Sequence, residues 1–295
     1  MEDRRAILNQ LKNLKRYVLF AIAIPLIPSA CTERKEIELT QNRGEPDAET
    51  VVTIVYDNNP HDVRLTTAWG FSCLIKLSQK VILFDTGGDG SILLSNMAKL
   101  GINPQSIDAV VLSHIHGDHV GGLAKFLEQN NQVTAYMPAS FPNQMKQEVK
   151  LKGAKVEEVH KAKELFEGVF TTGELNGGIK EQSLLVRTSK GLMIITGCAH
   201  PGVVNIVERA KELARDKVYL LMGGSHLLRT SPSRINYIAQ SLHQLGVEKV
   251  APCHCSGEEA RRLFKDYFSE NYIESGVGKQ IAIQQGRFHD DERKY

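Results

Sequence analysis

Within six residues the chain carries His114, His116, Asp118 and His119, spelled His-Ile-His-Gly-Asp-His. Four of those six positions are metal-ligand types, in a chain with ten histidines. A divalent metal site needs several neutral imidazoles or carboxylates whose lone pairs converge. In an extended segment, residues two apart point the same way. His114 and His116 can therefore serve one ion together. A turn at Gly117 then directs Asp118 and His119 to a second ion beside the first. Burying such groups unpaired would be costly, so a solvated polar loop is the poorer account of them.

Such a cluster must be held by rigid elements. It directly follows residues 108–112 (DAVVL), an apolar run that reads as a strand buried on both faces. Upstream, residues 51–56 (VVTIVY) read as a strand, and residues 70–77 and 80–85 as a hairpin turning at Ser78-Gln79. Thr86-Gly87-Gly88-Asp89-Gly90 then breaks the pattern and leads into a helix with Ile92, Leu93, Met97 and Leu100 at helical spacing. That glycine loop is neither a G-x-G-x-x-G nor a Walker sequence. Gly121-Gly122 opens a helix through Leu127, and strands at 133–137 and 156–159 flank a helix after Pro142.

In the second half, strands are expected at 183–188 and 192–196, followed by Gly197-Cys198-Ala199-His200-Pro201-Gly202 and a helix over 203–214. A strand at 218–222 runs into Gly223-Gly224-Ser225-His226. Ser231-Pro232 starts a helix whose face carries Ile235, Ile238, Leu242 and Leu245. A strand at 247–252 is closed by Cys253-His254-Cys255, and Ser256-Gly257-Glu258-Glu259 reads as a capping box. Each half is a strand cluster followed by alternating strands and helices. The simplest layered solution is two mixed sheets with helices on their outer faces: an α/β (α+β, four-layer) αββα sandwich.

The bulk numbers exclude some classes. The formal net charge is +2 and no basic stripe is present, so nothing asks for nucleic acid. Aromatics are 6% of the chain, too few for a base-stacking platform interleaved with basic residues. Five cysteines are too few for a disulfide scaffold. Cys253 and Cys255 do not make a Cys-x-x-Cys pair; they, Cys73 and Cys198 read as small residues at packed strand ends. His61, His160, His243 and His289 lie in loops, charged stretches or a helix face and carry no ligand role. Glu181-Gln182-Ser183 reads as a polar strand start.

The first residues differ from the rest. Lys12, Lys15 and Arg16 precede the apolar run 17–27 (YVLFAIAIPLI), which is too short to span a bilayer and contains Pro25. Small residues Ser29-Ala30 follow, so residues 1–31 read as an export signal. Cys31 after a small residue resembles a bacterial lipoprotein signal, with Pro28 where such signals usually carry Leu. Residues 32–50 are polar and read as a linker, leaving 51–290 as the folded domain. The expected location is the cell envelope, with the membrane met only through the N-terminus, lipidated at Cys31.

The run His114-Ile115-His116-Gly117-Asp118-His119 resembles the H-x-H-x-D-H motif of the metallo-β-lactamase superfamily, over roughly residues 51–285. The resemblance implies that His114 and His116 serve one metal, and Asp118 and His119 the other. It also implies His200 as the third ligand of the first metal and His254 as the last ligand of the second. Asp85 matches the strand-end Asp that stands behind the ligands. The runs Gly-Cys-Ala-His-Pro-Gly, Gly-Gly-Ser-His-Leu and His-Cys-Ser-Gly look like the branch named for dihydropterin–ribofuranosylaminobenzene-phosphate synthase, which Glu181-Gln182-Ser183 also resembles.

One departure stands out. The superfamily's bridging Asp is missing, because the strand at 218–222 ends in Gly223-Gly224-Ser225-His226 with no acid. His226 takes that place, as a terminal ligand or as a group that hydrogen-bonds substrate. A single imidazole lone pair cannot bridge two ions.

The expected activity is hydrolysis through a hydroxide held by two divalent ions, zinc first, with manganese or iron as alternatives. Asp118 and His226 are the expected catalytic residues. With few negative ligands, the site should favour a small anionic, phosphoester-like substrate. Two alternatives remain: a synthase-like transferase, as the branch name implies, and a surface lipoprotein that binds a ligand through an inactive metal site. Oligomeric state is not legible.

Overall fold

The computed structural model describes residues 49–284. The export signal, Cys31, most of the linker and His289 lie outside them. Two sheets carry the fold. The first contains β1 (Glu49–Tyr56), β2 (Ser72–Lys76), β3 (Val81–Phe84), β4 (Ala109–Val111), β5 (Thr134–Pro138), β6 (Lys155–Val159) and β13 (Gln280–Gln284), in the order β13-β1-β2-β3-β4-β5-β6. The second contains β7 (Lys161–Phe166), β8 (Val169–Gly173), β9 (Leu184–Thr188), β10 (Gly191–Thr196), β11 (Val218–Gly224) and β12 (Lys249–Cys253), in the order β12-β11-β10-β9-β8-β7.

Strand alternation builds the layers. In β4 and the residue after it, Ala109 and Val111 face the other sheet while Val110 and Leu112 face helices. In β10, Met193 and Ile195 join the inter-sheet core while Leu192 and Ile194 face the opposite way. Successive side chains of a strand point to opposite faces, so a strand apolar throughout must be covered on both. Helices α1 (Gly90–Lys99), α3 (Leu123–Gln129) and α4 (Asn143–Leu151) cover the first sheet. Helices α5 (Val203–Ala214), α6 (Pro232–Gln244) and α7 (Glu258–Phe268) cover the second. The result is the αββα sandwich expected from the sequence.

Two elements absent from the sequence reading are present, and one local expectation is corrected. The hairpin β7–β8 was not legible, because Lys161, Lys163 and Glu164 interrupt its alternation. Strand β13 was missed too; it returns to pair antiparallel with β1, Val52 opposite Ile281. The capping box at Ser256 does not form: α7 begins after Gly257, with no side-chain cap. The Ser256 hydroxyl instead accepts from the Ser225 N–H and hydroxyl, at 3.2 and 2.8 Å. A tertiary partner has taken the hydroxyl that local spacing assigned to the helix.

Strands β3 and β4 are parallel, as are β10, β11 and β12. Asp85, His114, Cys198, His226 and His254 each follow the C-terminal end of one of these five strands. The sandwich therefore delivers five separate strand ends to one edge of the molecule. No helix among the described residues is long and apolar enough to cross a membrane.

Candidate metal centre

The four clustered residues sit on a tight turn. After β4 the chain passes Ser113 and His114, then enters the single-turn helix α2 (Gly117–Val120), whose first turn holds Asp118. His119 is fully buried, His114 is buried, and Asp118 keeps about a fifth of its side chain exposed. The turn is clamped from behind: the Thr86 N–H and hydroxyl both donate to the His119 carbonyl, at 2.7 and 2.9 Å, and the Phe71 N–H donates to that of Asp118 at 3.2 Å.

Asp85 organises the imidazoles. Its carboxylate is fully buried and accepts the Ser113 N–H and hydroxyl, each at 2.7 Å. His119 Nδ1 lies 2.7 Å from the same carboxylate, so Nδ1 carries the proton and Nε2 keeps its lone pair. Because the Ser113 hydroxyl donates to Asp85, it accepts from His114 Nδ1 at 2.9 Å, and the lone pair of His114 is again on Nε2. A third imidazole is set from a distant strand end, since His254 Nδ1 lies 2.9 Å from Asn58 Oδ1.

Two donor sets result. Donor atoms of His114, His116 and His200 all lie within 4.8 Å of one another, and so do those of Asp118, His119 and His254. His254 Nε2 is 3.3 Å from Asp118 Oδ2 and 3.2 Å from His119 Nε2. The two imidazole nitrogens face each other although both rings spend their Nδ1 protons elsewhere. Two lone pairs at that separation repel unless a shared cation lies between them. His200 Nε2 is buried with no hydrogen-bond partner, a costly orphan unless its lone pair meets a cation. On these observations the residues fit divalent metal ions.

The charge environment agrees. Burial, with the surrounding imidazoles, pushes His114 far below the usual histidine range and His200 down to about 4. Neutral imidazoles are the form that binds metal. Burial opposes ionisation of Asp118, but the neighbouring imidazoles of His254 and His119 hold it well below the usual carboxylate range. His119 goes the other way: burial lowers it, and Asp85, with Asp118 and Glu181, more than compensates.

His200 lies on the loop after β10, and Glu181 holds that loop. The buried Glu181 carboxylate accepts four backbone N–H groups, from Gly197, Cys198, Ala199 and His200, at 2.8–3.1 Å. Burial pushes this carboxyl up, against the four N–H groups that stabilise its charge. Beside it, the Gln182 amide donates to the carbonyls of Leu112 and Tyr136, at 2.8 and 3.2 Å, tying the second sheet to the strand that feeds His114. These residues were expected to be only a polar strand start. Their role is tertiary, because the four N–H donors to Glu181 and the two carbonyls that accept from Gln182 lie 16 to 70 positions away.

His226 occupies the rim. It is exposed, its ring centroid is 4.4 Å from that of His200, and its backbone N–H donates to Cys255 Sγ at 3.3 Å. No acid accompanies it on β11 or the loop after it, as the sequence indicated. Trp69, about half exposed, tilts against His254 with ring centroids 4.9 Å apart.

The expectation for the cysteines needs correction. Cys73 and Cys253 are packed in the inter-sheet core. Cys198 and Cys255 are not simply packing residues: Cys198 Sγ lies 3.2 Å from His119 Nε2, and both sulfurs join ligand groupings with the histidines. The hydrogen bond between the two thiols pushes Cys198 up and Cys255 down. Sequence spacing could not find them, because they approach from two different strand ends.

The local backbone is strained. Seven non-glycine residues among those described have positive φ, and four of them, Asp85, Ala199, His226 and His254, belong to this site. Such conformations persist where the surrounding structure over-determines them, and they cluster at functional sites. Gly197 allows the closest approach: a Cβ there would meet Ser113 Oγ at 2.1 Å and Asp85 Oδ2 at 3.1 Å.

A family model described as the metallo-beta-lactamase superfamily matches residues 70–215. The chain is 30% identical to 7,8-dihydropterin-6-methyl-4-(beta-D-ribofuranosyl)-aminobenzene-5'-phosphate synthase of Methanocaldococcus jannaschii, over 83% of this chain and all of that protein. A solved structure described as a metal-dependent hydrolase of the beta-lactamase superfamily superposes with a TM-score of 0.69 at 27% identity, covering 80% of this chain and 99% of that one. The metallo-beta-lactamase fold protein YhfI from Bacillus subtilis gives a TM-score of 0.59 at 16% identity, covering 79% and 99%, and shares the fold.

Proposed function

Because the chain belongs to the metallo-beta-lactamase superfamily, we propose that it is a metal-dependent hydrolase acting on a small anionic, phosphoester-like substrate. The observation that carries this reading is the pair of adjacent donor sets, His114/His116/His200 and Asp118/His119/His254, with imidazole lone pairs facing one another. Divalent ions, zinc foremost, held there would acidify a bound water, orient the substrate and neutralise developing charge.

The chain's own residues do the rest. Asp85 and Asn58 accept the Nδ1 protons of His119 and His254 and aim their Nε2 atoms inward, so no reorganisation is needed when substrate arrives. Asp118 is ionised and partly exposed, so its carboxylate can accept a hydrogen bond from the attacking water and hold that water in line. His226 reaches the rim as a donor for an oxygen of the substrate. Trp69 offers the half-exposed face of an indole for whatever the anionic group is attached to. One carboxylate and no bridging acid leave the centre positively charged, which selects an anion over a neutral molecule.

The test is metal analysis of purified protein joined to a substrate panel of phosphodiesters, phosphomonoesters, lactones, thioesters and β-lactams. Expected is phosphoester turnover that follows metal content and falls at least about a hundredfold in Asp118→Asn. Metal-loaded protein that turns over only lactones, thioesters or β-lactams would remove the anionic-substrate reading. A second reading, a synthase-like transferase, is favoured by the 30% identity to the M. jannaschii synthase over its whole length. Condensation of a pterin diphosphate with an aminobenzene ribose phosphate, without phosphoester hydrolysis, would establish it instead.

A further inference from the structure

Cys198 stands where the two donor sets meet. Its sulfur lies within 4.8 Å of donor atoms of His114 and His119, of His200 and His226, and of His254 and Cys255. It is therefore close to members of both sets at once. The chain lacks an acid on the loop after β11, so the two sets have no carboxylate between them.

The neighbouring thiol has a different set of partners. Cys255 Sγ accepts the His226 N–H at 3.3 Å, and its S–H donates to the Cys198 carbonyl at 3.7 Å. Both of these contacts are to backbone and hold two loops together; Cys255 Sγ also meets Cys198 Sγ and the His226 side chain. The contact of Cys198 Sγ is with His119 Nε2, an atom whose lone pair already faces the ligand cluster. Four N–H bonds to Glu181, one of them from Cys198 itself, fix the backbone that aims this sulfur.

We propose that Cys198 is a thiolate ligand of the metal centre, shared between the His114/His116/His200 and Asp118/His119/His254 sets in place of a bridging carboxylate. The proposal rests on the metal-centre reading above. Thiolate sulfur has more than one lone pair and can contact two ions, which an imidazole nitrogen cannot. On binding, the Cys198 S–H bond breaks, its proton passes to buffer, and a sulfur–metal bond forms; nothing is oxidised or reduced. The thiolate adds negative charge between two dications and lessens their repulsion. One thiolate and one carboxylate still leave a net positive centre, so preference for an anion is retained.

The test is cadmium titration of the full-length chain, stripped of metal and kept reduced, followed by ultraviolet sulfur-to-cadmium charge transfer and by proton release. The wild type and Cys255→Ser are expected to develop the band, growing across both equivalents of metal. Cys198→Ser is expected to bind cadmium with most of the band gone and fewer protons released. Cadmium-113 resonances of the wild type, which need no variant, should fall in the sulfur-ligated range. Cadmium bound without a charge-transfer band, or a band undiminished in Cys198→Ser, overturns the proposal and leaves the histidine sets standing. Failure of the wild type to bind cadmium or zinc overturns the metal-centre reading, and the proposal with it.

Discussion

His200 and His254 are each the distant member of one donor set, and each arrives from a different strand end. Replacing either by Ala should remove about one metal equivalent per chain while the fold survives, since neither imidazole belongs to the hydrophobic core clusters. Metal analysis beside circular dichroism checks it; two variants with full metal content would break the assignment of both residues. Asn58 offers a finer test. Its amide oxygen meets the far nitrogen of His254 and its NH2 donates to the His254 carbonyl at 3.4 Å, so Asn58→Ala should bind metal about 10- to 100-fold more weakly. Titration against a chelator of known affinity reads that number, and an unchanged affinity would mean that the hydrogen bond does not orient the ring.

Among the elements, the loop after β10 donates four backbone hydrogen bonds to a single buried carboxylate. Glu181→Gln preserves size but swaps one acceptor oxygen for an NH2 group facing the N–H donors of the His200 loop. The loss should be about 2–4 kcal/mol of stability, read by urea denaturation, with His200 no longer held for metal. A loss below about half a kcal/mol would show that water satisfies those donors equally well. Gly197 tests the same loop from the other side. The Cβ in Gly197→Ala would fall 2.1 Å from Ser113 Oγ, so either Ser113 releases Asp85 or the loop shifts. The expected cost is about 1–3 kcal/mol, together with weakened metal binding. A variant as stable and as well metallated as the wild type would show that the contact is slack.

For the whole molecule, two sheets pressed together bring β3, β4, β10, β11 and β12 to one edge, and helices cover the outer faces. The role proposed for residues 1–31, which lie outside the described residues, is export, and attachment to a membrane through a lipidated Cys31. Mass spectrometry of the N-terminus of protein purified from its native host decides this. Acylated Cys31 as the first residue is the expected result. An unmodified mature terminus elsewhere would remove lipidation and leave export standing, and an intact Met1 would remove both.

The sequence by itself determined the local cluster and the layer scheme. His114, His116, Asp118 and His119 are close because they are neighbours in the chain, and no folding is needed to see it. The covered sheets were legible because strands such as residues 108–112 are apolar on both faces. His200 and His254 came from the family resemblance, not from spacing. What only the tertiary structure decided involves partners far apart in the chain: Asn58 behind His254, Glu181 under the His200 loop, Ser256 turned from a cap to Ser225, and Cys198 lodged between the donor sets. Each of these side chains has an ordinary local reading as a turn residue, a polar strand start, a helix cap or a small packed residue. Hydrogen bonds and ligand contacts depend on distance in space, and the two stacked sheets bring together strand ends that the sequence keeps far apart.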